Sequence, residues 1–333
     1  MTKRMKVFIS NYPFARYDEK VLTMLQKSGL TVEVNPYGRK MKPEETAVAA
    51  AGADIIIAGT ENLDKLVARS KSLKMISRIG IGLDSVPLDL CKEKNILVAY
   101  TPDAVTEAVA DLTVGMMIDS LRSITKADKA VRRKNWVRPY GKSVSSCTIG
   151  IIGFGRVGFR VARHLVSFSP RFLVNDIDNI DDKIKQVAKA GGNIEFASAS
   201  EIYKNSDVVT LHVPLTSGTF HMVNHNTLSL MKKSAVLLNL SRGDLIHEND
   251  LYQALMNEQI FQAGIDVFSD EPYKGKLLEL DNIVLTQHMG ACTFEGRNRM
   301  EVEATKSVLA FASGKKVLRT VPESEYRYQS DAP

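Results

Sequence analysis

Cysteine is scarce in this chain of 333 residues. Only Cys91, Cys147 and Cys292 occur, an odd number at unpatterned spacings. That argues against a disulfide framework and for reduced thiols in a cytoplasmic protein. Long apolar runs are missing, so no membrane span is expected. The basic N-terminal stretch has too short an apolar run for a signal peptide. Repeats of fixed period and low-complexity segments are also absent. Acid is slightly outnumbered: 38 Asp and Glu face 44 Lys and Arg, a formal net charge of +6. The excess is mild and scattered, so small acidic substrates or a dinucleotide explain it as well as nucleic acid would, and no nucleic-acid partner is expected. Hydrophobic and charged fractions of 44% and 25% are those of a globular chain long enough for two domains.

The most informative stretch present is Gly153-Phe-Gly155-Arg156-Val157-Gly158. It follows a short apolar run over residues 148–152, which reads as a buried strand, and precedes apolar residues at helical spacing. Strand, tight turn and helix are the context a dinucleotide fingerprint requires. In that reading Gly153 permits the turn, Gly155 admits a pyrophosphate, and Gly158 lets helix and strand pack closely. The diphosphate would lie on free N–H groups at the helix N-terminus. The next apolar run ends at Asp176, where a carboxylate accepts hydrogen bonds from a ribose 2′-OH. Ile177, Asp178 and Asn179 follow, with no cation for a 2′-phosphate, so NAD is favoured over NADP.

Strands and helices alternate on both sides of this point. Strands are expected near residues 6–10, 30–34, 54–58, 73–78 and 96–99, with helices over 19–28, 43–51 and 64–70. That pattern predicts a parallel sheet with helices on both faces. Asp103 is a candidate cap for a long apolar helix over 104–121, and the charged stretch 122–134 continues as a second helix. Later strands are expected near 208–212, 235–239, 262–267 and 282–286, then a last helix over 295–312 that could return to the first series. The polar tail from Ser313 is expected to be poorly ordered.

Four of the later strand ends carry unusual chemistry: Leu211-His-Val213-Pro214, Leu238-Asn-Leu240-Ser241-Arg242-Gly, Asp266-Val-Phe-Ser-Asp-Glu271-Pro and Thr286-Gln-His288-Met-Gly. In an open α/β sheet ligands bind beyond the carboxyl ends of the strands. Arg can hold a carboxylate bidentately, His can exchange a proton near neutral pH, and Glu can orient an imidazole and stabilise its charged form. Isolated, each has a plainer reading: Arg242 as an ion-pair residue, Glu271 as a solvated turn residue, His288 as a core histidine. His221 and His225 are spaced as metal ligands on a helix, but no third ligand accompanies them, so no metal is expected. Cys292 reads as a packing residue.

As a spaced set, Gly-x-Gly-x-x-Gly, Ser-Arg-Gly, Asp-Val-Phe-x-x-Glu-Pro and His-x-Gly-x-x-Thr resemble the D-isomer-specific 2-hydroxyacid dehydrogenases over residues 5–313. The resemblance implies two doubly wound, Rossmann-like α/β domains with a cleft between them. The substrate domain would be discontinuous, residues 1–101 and 290–333, and the NAD-binding domain would be 102–289. It implies catalysis by Arg242, Glu271 and His288. Cofactor binding would involve Gly153, Gly155, Arg156, Val157, Gly158, Asp176, Val213, Pro214, Leu240 and Ser241, with Asp266 near the nicotinamide amide. Substrate binding would fall to Arg78, Ile79 and Gly80 on a glycine loop. The expected activity is reversible hydride transfer between NAD and a small anionic 2-hydroxy acid, in a homodimer. The first half looks most like the phosphoglycerate dehydrogenase branch, through Ile57-Ala-Gly-Thr-Glu and Ser77-Arg-Ile-Gly-Ile-Gly-Leu-Asp84. Gly59 departs from it, because some phosphoglycerate enzymes place a phosphate-binding Arg there. The alternative from another class is an NAD-sensing binding module resembling dehydrogenase-fold transcriptional corepressors.

Overall fold

The computed structural model describes residues 4–331. The described residues form two compact units, 4–105 with Ala291–Asp331, and Thr106–Gly290.

The first unit holds a five-stranded sheet of β1 (Lys6–Ile9), β2 (Thr31–Val34), β3 (Ile55–Ala58), β4 (Met75–Arg78) and β5 (Leu97–Ala99). All pairs are parallel, in the order β2-β1-β3-β4-β5. The Ile-rich β3 and the central β4 are buried at every position, as strands covered on both faces should be. The strand order reverses between β1 and β3, so the carboxyl ends there open a crevice. The helix Phe294–Ala312 belongs to this unit. Its Glu301, 2% exposed, accepts from Arg297 Nε at 2.8 Å and from the Ala15 backbone N–H at 2.9 Å. That pins the loop after β1. Ser77 Oγ on β4 donates to the Ala304 carbonyl of the same helix at 3.0 Å.

The tail departs from expectation. Beyond Ser313 the chain runs beside β5, with the Tyr100 N–H on the Arg319 carbonyl and the Val321 N–H on the Val98 carbonyl, both at 3.0 Å. The helix Glu323–Ser330 follows, and Gln329 bonds Leu83, Val86 and Leu88. Two apolar side chains, Val317 and Val321, are buried and anchor a segment whose polar composition belongs to its exposed face. The long helix is regular from Thr106 onward, and Asp103 just ahead of it pairs with Arg319 of the tail at 2.6 Å.

The second unit contains seven parallel strands: β6 (Thr148–Ile152), β7 (Arg171–Asn175), β8 (Asn193–Phe196), β9 (Val208–Leu211), β10 (Val236–Asn239), β11 (Gln262–Ile265) and β12 (Ile283–Leu285). Their order is β12-β11-β10-β9-β6-β7-β8. The edge strand β8 is mostly exposed and polar, Asn-Ile-Glu-Phe, and carries no apolar run to announce it. Helices Thr106–Arg122 and Ile124–Arg132 are separated by Ser123, which turns left-handed with φ 51°. The order reverses between β6 and β9, and the glycine loop leaves β6 there. Among the described residues no helix is long and apolar enough to cross a membrane.

Candidate active site

Gly153 follows β6 with φ 91°, and a Cβ there would lie 2.4 Å from the His212 carbonyl oxygen at the end of β9. Only glycine meets both the dihedral and the contact. A Cβ on Gly158 would strike the Gly153 carbonyl oxygen at 2.1 Å, so the helix Arg156–Leu165 packs directly on its own turn. At Gly155 a Cβ would meet nothing within 4 Å, and the backbone faces open space at the helix N-terminus. A pyrophosphate fits that arrangement: open space in front of a helix N-terminus, with a favourable dipole. Asp176, just past β7, accepts from the Phe154 N–H at 2.7 Å and the Asp178 N–H at 3.1 Å. Its carboxylate thus also braces the glycine loop. Each oxygen keeps a lone pair for a ribose hydroxyl.

The neighbouring strand ends are tied to one another. Ser241 Oγ donates to the Val213 carbonyl at 2.5 Å, joining the ends of β10 and β9. Leu240 is buried, Val213 is half-buried and Pro214 is exposed. His212, unremarked in the sequence, is half-buried with Nε2 3.0 Å from Thr210 Oγ1. Burial pushes its imidazole down to about 3, so it is neutral at ordinary pH.

Residues 239, 265 and 285 are paired across β10, β11 and β12, so Arg242, Glu271 and His288 leave three adjacent strand ends. Arg242 is part-buried; its carbonyl accepts from Asn239 Nδ2 at 2.7 Å and its Nη1 donates to the Ser241 carbonyl at 2.8 Å. A Cβ on Gly243 would sit 2.1 Å from the carbonyl carbon of Phe268. The Ser-Arg-Gly loop is therefore pressed onto the Phe268–Ser269 backbone, and the Phe268 N–H donates to Glu271 Oε1 at 3.1 Å. His288 Nδ1 lies 2.9 Å from Glu271 Oε2 and 3.1 Å from Oε1. The structure brings the predicted triad onto one edge and makes two of its members direct partners. With Nδ1 engaged, Nε2 is the ring atom left to face a reactant.

His288 stands in a left-handed backbone conformation, φ 51°, which costs a non-glycine residue about 1–3 kcal/mol. Asp266 accounts for its persistence. This residue is 1% exposed. Its carboxylate accepts from Thr286 Oγ1 at 2.6 Å, the Met289 N–H at 2.8 Å and the Gly290 N–H at 2.9 Å, while its carbonyl accepts from the His288 N–H at 2.7 Å. Expected beside a nicotinamide amide, Asp266 has its carboxylate committed to the turn that presents His288.

In the first unit, Arg78 ends β4 at 7% exposure and Ile79 is 4% exposed. Gly80 has φ 131°, donates its N–H to Thr101 Oγ1 at 2.7 Å, and carries the Arg78 guanidinium folded against it. Among the described residues no group of three or more His, Cys, Asp or Glu is placed to hold a metal.

Comparison with known proteins gives a consistent picture. Residues 114–290 match the family described as D-isomer specific 2-hydroxyacid dehydrogenase, NAD binding domain. The chain is 31% identical over 307 residues to a hydroxypyruvate reductase of Thermotoga maritima, covering 88% of this chain and 98% of that one. It is 32% identical over 319 residues to a glyoxylate reductase of Pyrococcus horikoshii, covering 87% and 94%. A D-3-phosphoglycerate dehydrogenase of Methanocaldococcus jannaschii is 35% identical over 282 residues, 83% of this chain but 52% of that protein. Among solved structures, D-lactate dehydrogenase of Aquifex aeolicus, complexed with NAD and lactic acid, superposes with a TM-score of 0.79 at 27% identity, covering 93% and 96%.

Proposed function

Because this chain belongs to the D-isomer-specific 2-hydroxyacid dehydrogenase family, we propose that its NAD-linked reaction is the reduction of a small, unphosphorylated 2-keto acid such as glyoxylate or hydroxypyruvate. NAD is the cofactor, and when bound it supplies or takes up the hydride. Gly153, Gly155 and Gly158 would cradle its pyrophosphate with the N–H groups of Arg156 and Val157. Asp176 would take the ribose hydroxyls. The chain's own part is to hold an anion and move a proton. Arg242 holds the substrate carboxylate and polarises the keto oxygen. His288 gives its Nε2 proton to that oxygen on reduction and removes it from the hydroxyl on oxidation. Glu271 fixes the tautomer and favours the charged ring. The Ile79 and Gly80 N–H groups already bond the Ala58 carbonyl and Thr101 Oγ1, so the part of the 78–82 loop in holding the carboxylate would fall to the Ile81 and Gly82 N–H groups.

The observation that carries this reading is the His288–Glu271 contact at 2.9 Å, with the Arg242 loop locked to the Glu271 loop through Gly243. The test is NADH oxidation with a panel of glyoxylate, hydroxypyruvate, pyruvate and 3-phosphohydroxypyruvate. Turnover should be highest with one of the first two, and a clear preference for the phosphorylated acid would overturn the proposal. The named relatives are enzymes, and nothing in this chain favours the binding-module alternative. A homodimer is part of the same proposal. The helix Ile124–Arg132 buries none of its residues, and Trp136 and Tyr140 beyond it are 81% and 96% exposed, a surface a second copy would cover. Sedimentation as a 36.8 kDa monomer would reject it.

A further inference from the structure

One buried acid in the first unit has no part in the chemistry described so far. Glu61 is 2% exposed. Its Oε1 receives the Ser10 hydroxyl and, at 2.9 Å, the Gly59 N–H. Ser10 directly follows β1, and Gly59 directly follows β3, so this carboxylate lies across the ends of the two strands where the sheet order reverses. Its Oε2 has no hydrogen-bond partner and no ion pair among the described residues. The loop that holds it is built around its presence. A Cβ on Gly59 would lie 2.9 Å from Glu61 Oε2 and 2.4 Å from Asn11 Oδ1, so no larger residue fits there without displacing both. Asn11 is itself 5% exposed and donates its Nδ2 to the Pro13 carbonyl at 3.2 Å.

The next strand across, β4, leads into the 78–82 glycine loop. Adjacent strands are about 4.8 Å apart, which puts the β1 and β3 ends about 5–10 Å from the turn after β4. With a hydrogen bond of about 2.8 Å at each end, a three-carbon keto acid bridges a gap of that order from its carboxylate to its C3 substituent.

We propose that Glu61 is a specificity-determining residue: its buried carboxylate rejects 2-keto acids bearing a second anion at C3 and accepts a C3 hydroxyl as a hydrogen-bond donor to Oε2. The inference rests on the reading of this chain as a keto-acid reductase and names the feature that separates hydroxypyruvate from its phosphate ester. A phosphate would have to bring a second anion up to this buried carboxylate. A hydroxyl satisfies an acceptor that is otherwise left unpaired.

The test compares kcat/KM for glyoxylate, hydroxypyruvate, 3-phosphohydroxypyruvate and 2-oxohexanoate in the wild type and in Glu61→Gln. Glutamine keeps an oxygen for Ser10 and Gly59. In the wild type the phosphorylated acid should fall at least about 100-fold below hydroxypyruvate, a like-charge penalty of several kcal/mol. 2-Oxohexanoate, similar in length but with an uncharged chain beyond C3, should lose less than about tenfold. In Glu61→Gln the ratio of 3-phosphohydroxypyruvate to glyoxylate should rise at least about tenfold, and the ratio of hydroxypyruvate to glyoxylate should fall. Equal changes for all substrates would mean a structural role and overturn the inference. So would a wild type that rejects 2-oxohexanoate as strongly as the phosphate ester, or one that uses the phosphate ester within tenfold of hydroxypyruvate; these two wild-type results decide the matter even if the variant does not fold. A working reductase with any of these outcomes loses only this inference, whereas a wild type that reduces no 2-keto acid removes the functional reading beneath it.

Discussion

Replacing Glu271 by Gln isolates one electrostatic contribution. The His288 ring nitrogen lies 2.9 and 3.1 Å from the two carboxylate oxygens, and the two side chains are 52% and 36% exposed. At 2.9 Å Coulomb's law gives about 1.4 kcal/mol in water and about 6 kcal/mol at an effective dielectric constant of 20. A pair this open to solvent belongs near the first figure, and exposed ion pairs measure about 0.2–1 kcal/mol. Losing the charge should therefore remove no more than about 1 kcal/mol of stabilisation from the charged ring. The sign follows from which form the negative charge favours. Glutamine carries no charge to favour imidazolium over the neutral ring. Keto-acid reduction needs the charged ring, so its alkaline limb should move down. Hydroxy-acid oxidation needs the neutral ring, so its acidic limb should move down as well. Glutamine can still accept the Phe268 N–H, which keeps the loop in place. The assay is a pair of pH–rate profiles in each direction, with deuterated NADH to verify that hydride transfer limits the rate. Unmoved limbs, or limbs displaced to higher pH while the isotope effect persists, would refute the partnership.

Two further outcomes follow from single side chains. Asp176→Asn should weaken NADH binding by about 1–3 kcal/mol, the scale of hydrogen bonds to a charged group, and narrow the preference over NADPH; fluorescence titration of both cofactors checks it, and an unchanged preference would remove Asp176 from the ribose site. His212 is held neutral, down at about 3, whereas the unfolded chain protonates near the ordinary histidine value. The unfolded state therefore binds the extra proton, and this group's contribution to stability, intact above about pH 6.5, is lost as pH falls toward 3, by up to about 1.4 kcal/mol per unit. Urea unfolding of wild type and His212→Asn at pH 7 and pH 5 should show a smaller pH dependence in the variant; equal dependence in both would place the titration elsewhere.

The parts of this protein legible in the sequence are those encoded by neighbours along the chain. β3 announces itself through an unbroken apolar run, and the glycine fingerprint through a turn that no other residue type can make. The Ser-Arg-Gly, Glu-Pro and His-x-Gly segments could be recognised because each packs its chemistry into a few positions after a strand. What escaped reading depends on contacts between distant segments. β8 is an exposed edge strand with almost no apolar signal, and the tail beyond Ser313 is fixed by two buried valines and by backbone pairing with β5.

The site shows the same division more sharply. Asp266 can be singled out by its motif, yet its task is set by where the chain returns after β12. Three donors from the 286–290 turn converge on one carboxylate, and only the strand order places them there. That convergence explains how His288 keeps an unfavourable backbone angle without a glycine: the cost of about 1–3 kcal/mol is offset by hydrogen bonds to a charged acceptor, each worth about 1.5–3 kcal/mol. Gly243 acts in the same way at the opposite side of Glu271, since the Arg242 loop can lie on Phe268 and Ser269 only if residue 243 has no side chain. The reactive groups are thus named by local motifs, while their mutual geometry is set by a buried acid and a missing Cβ whose meaning appears only when β10, β11 and β12 lie side by side.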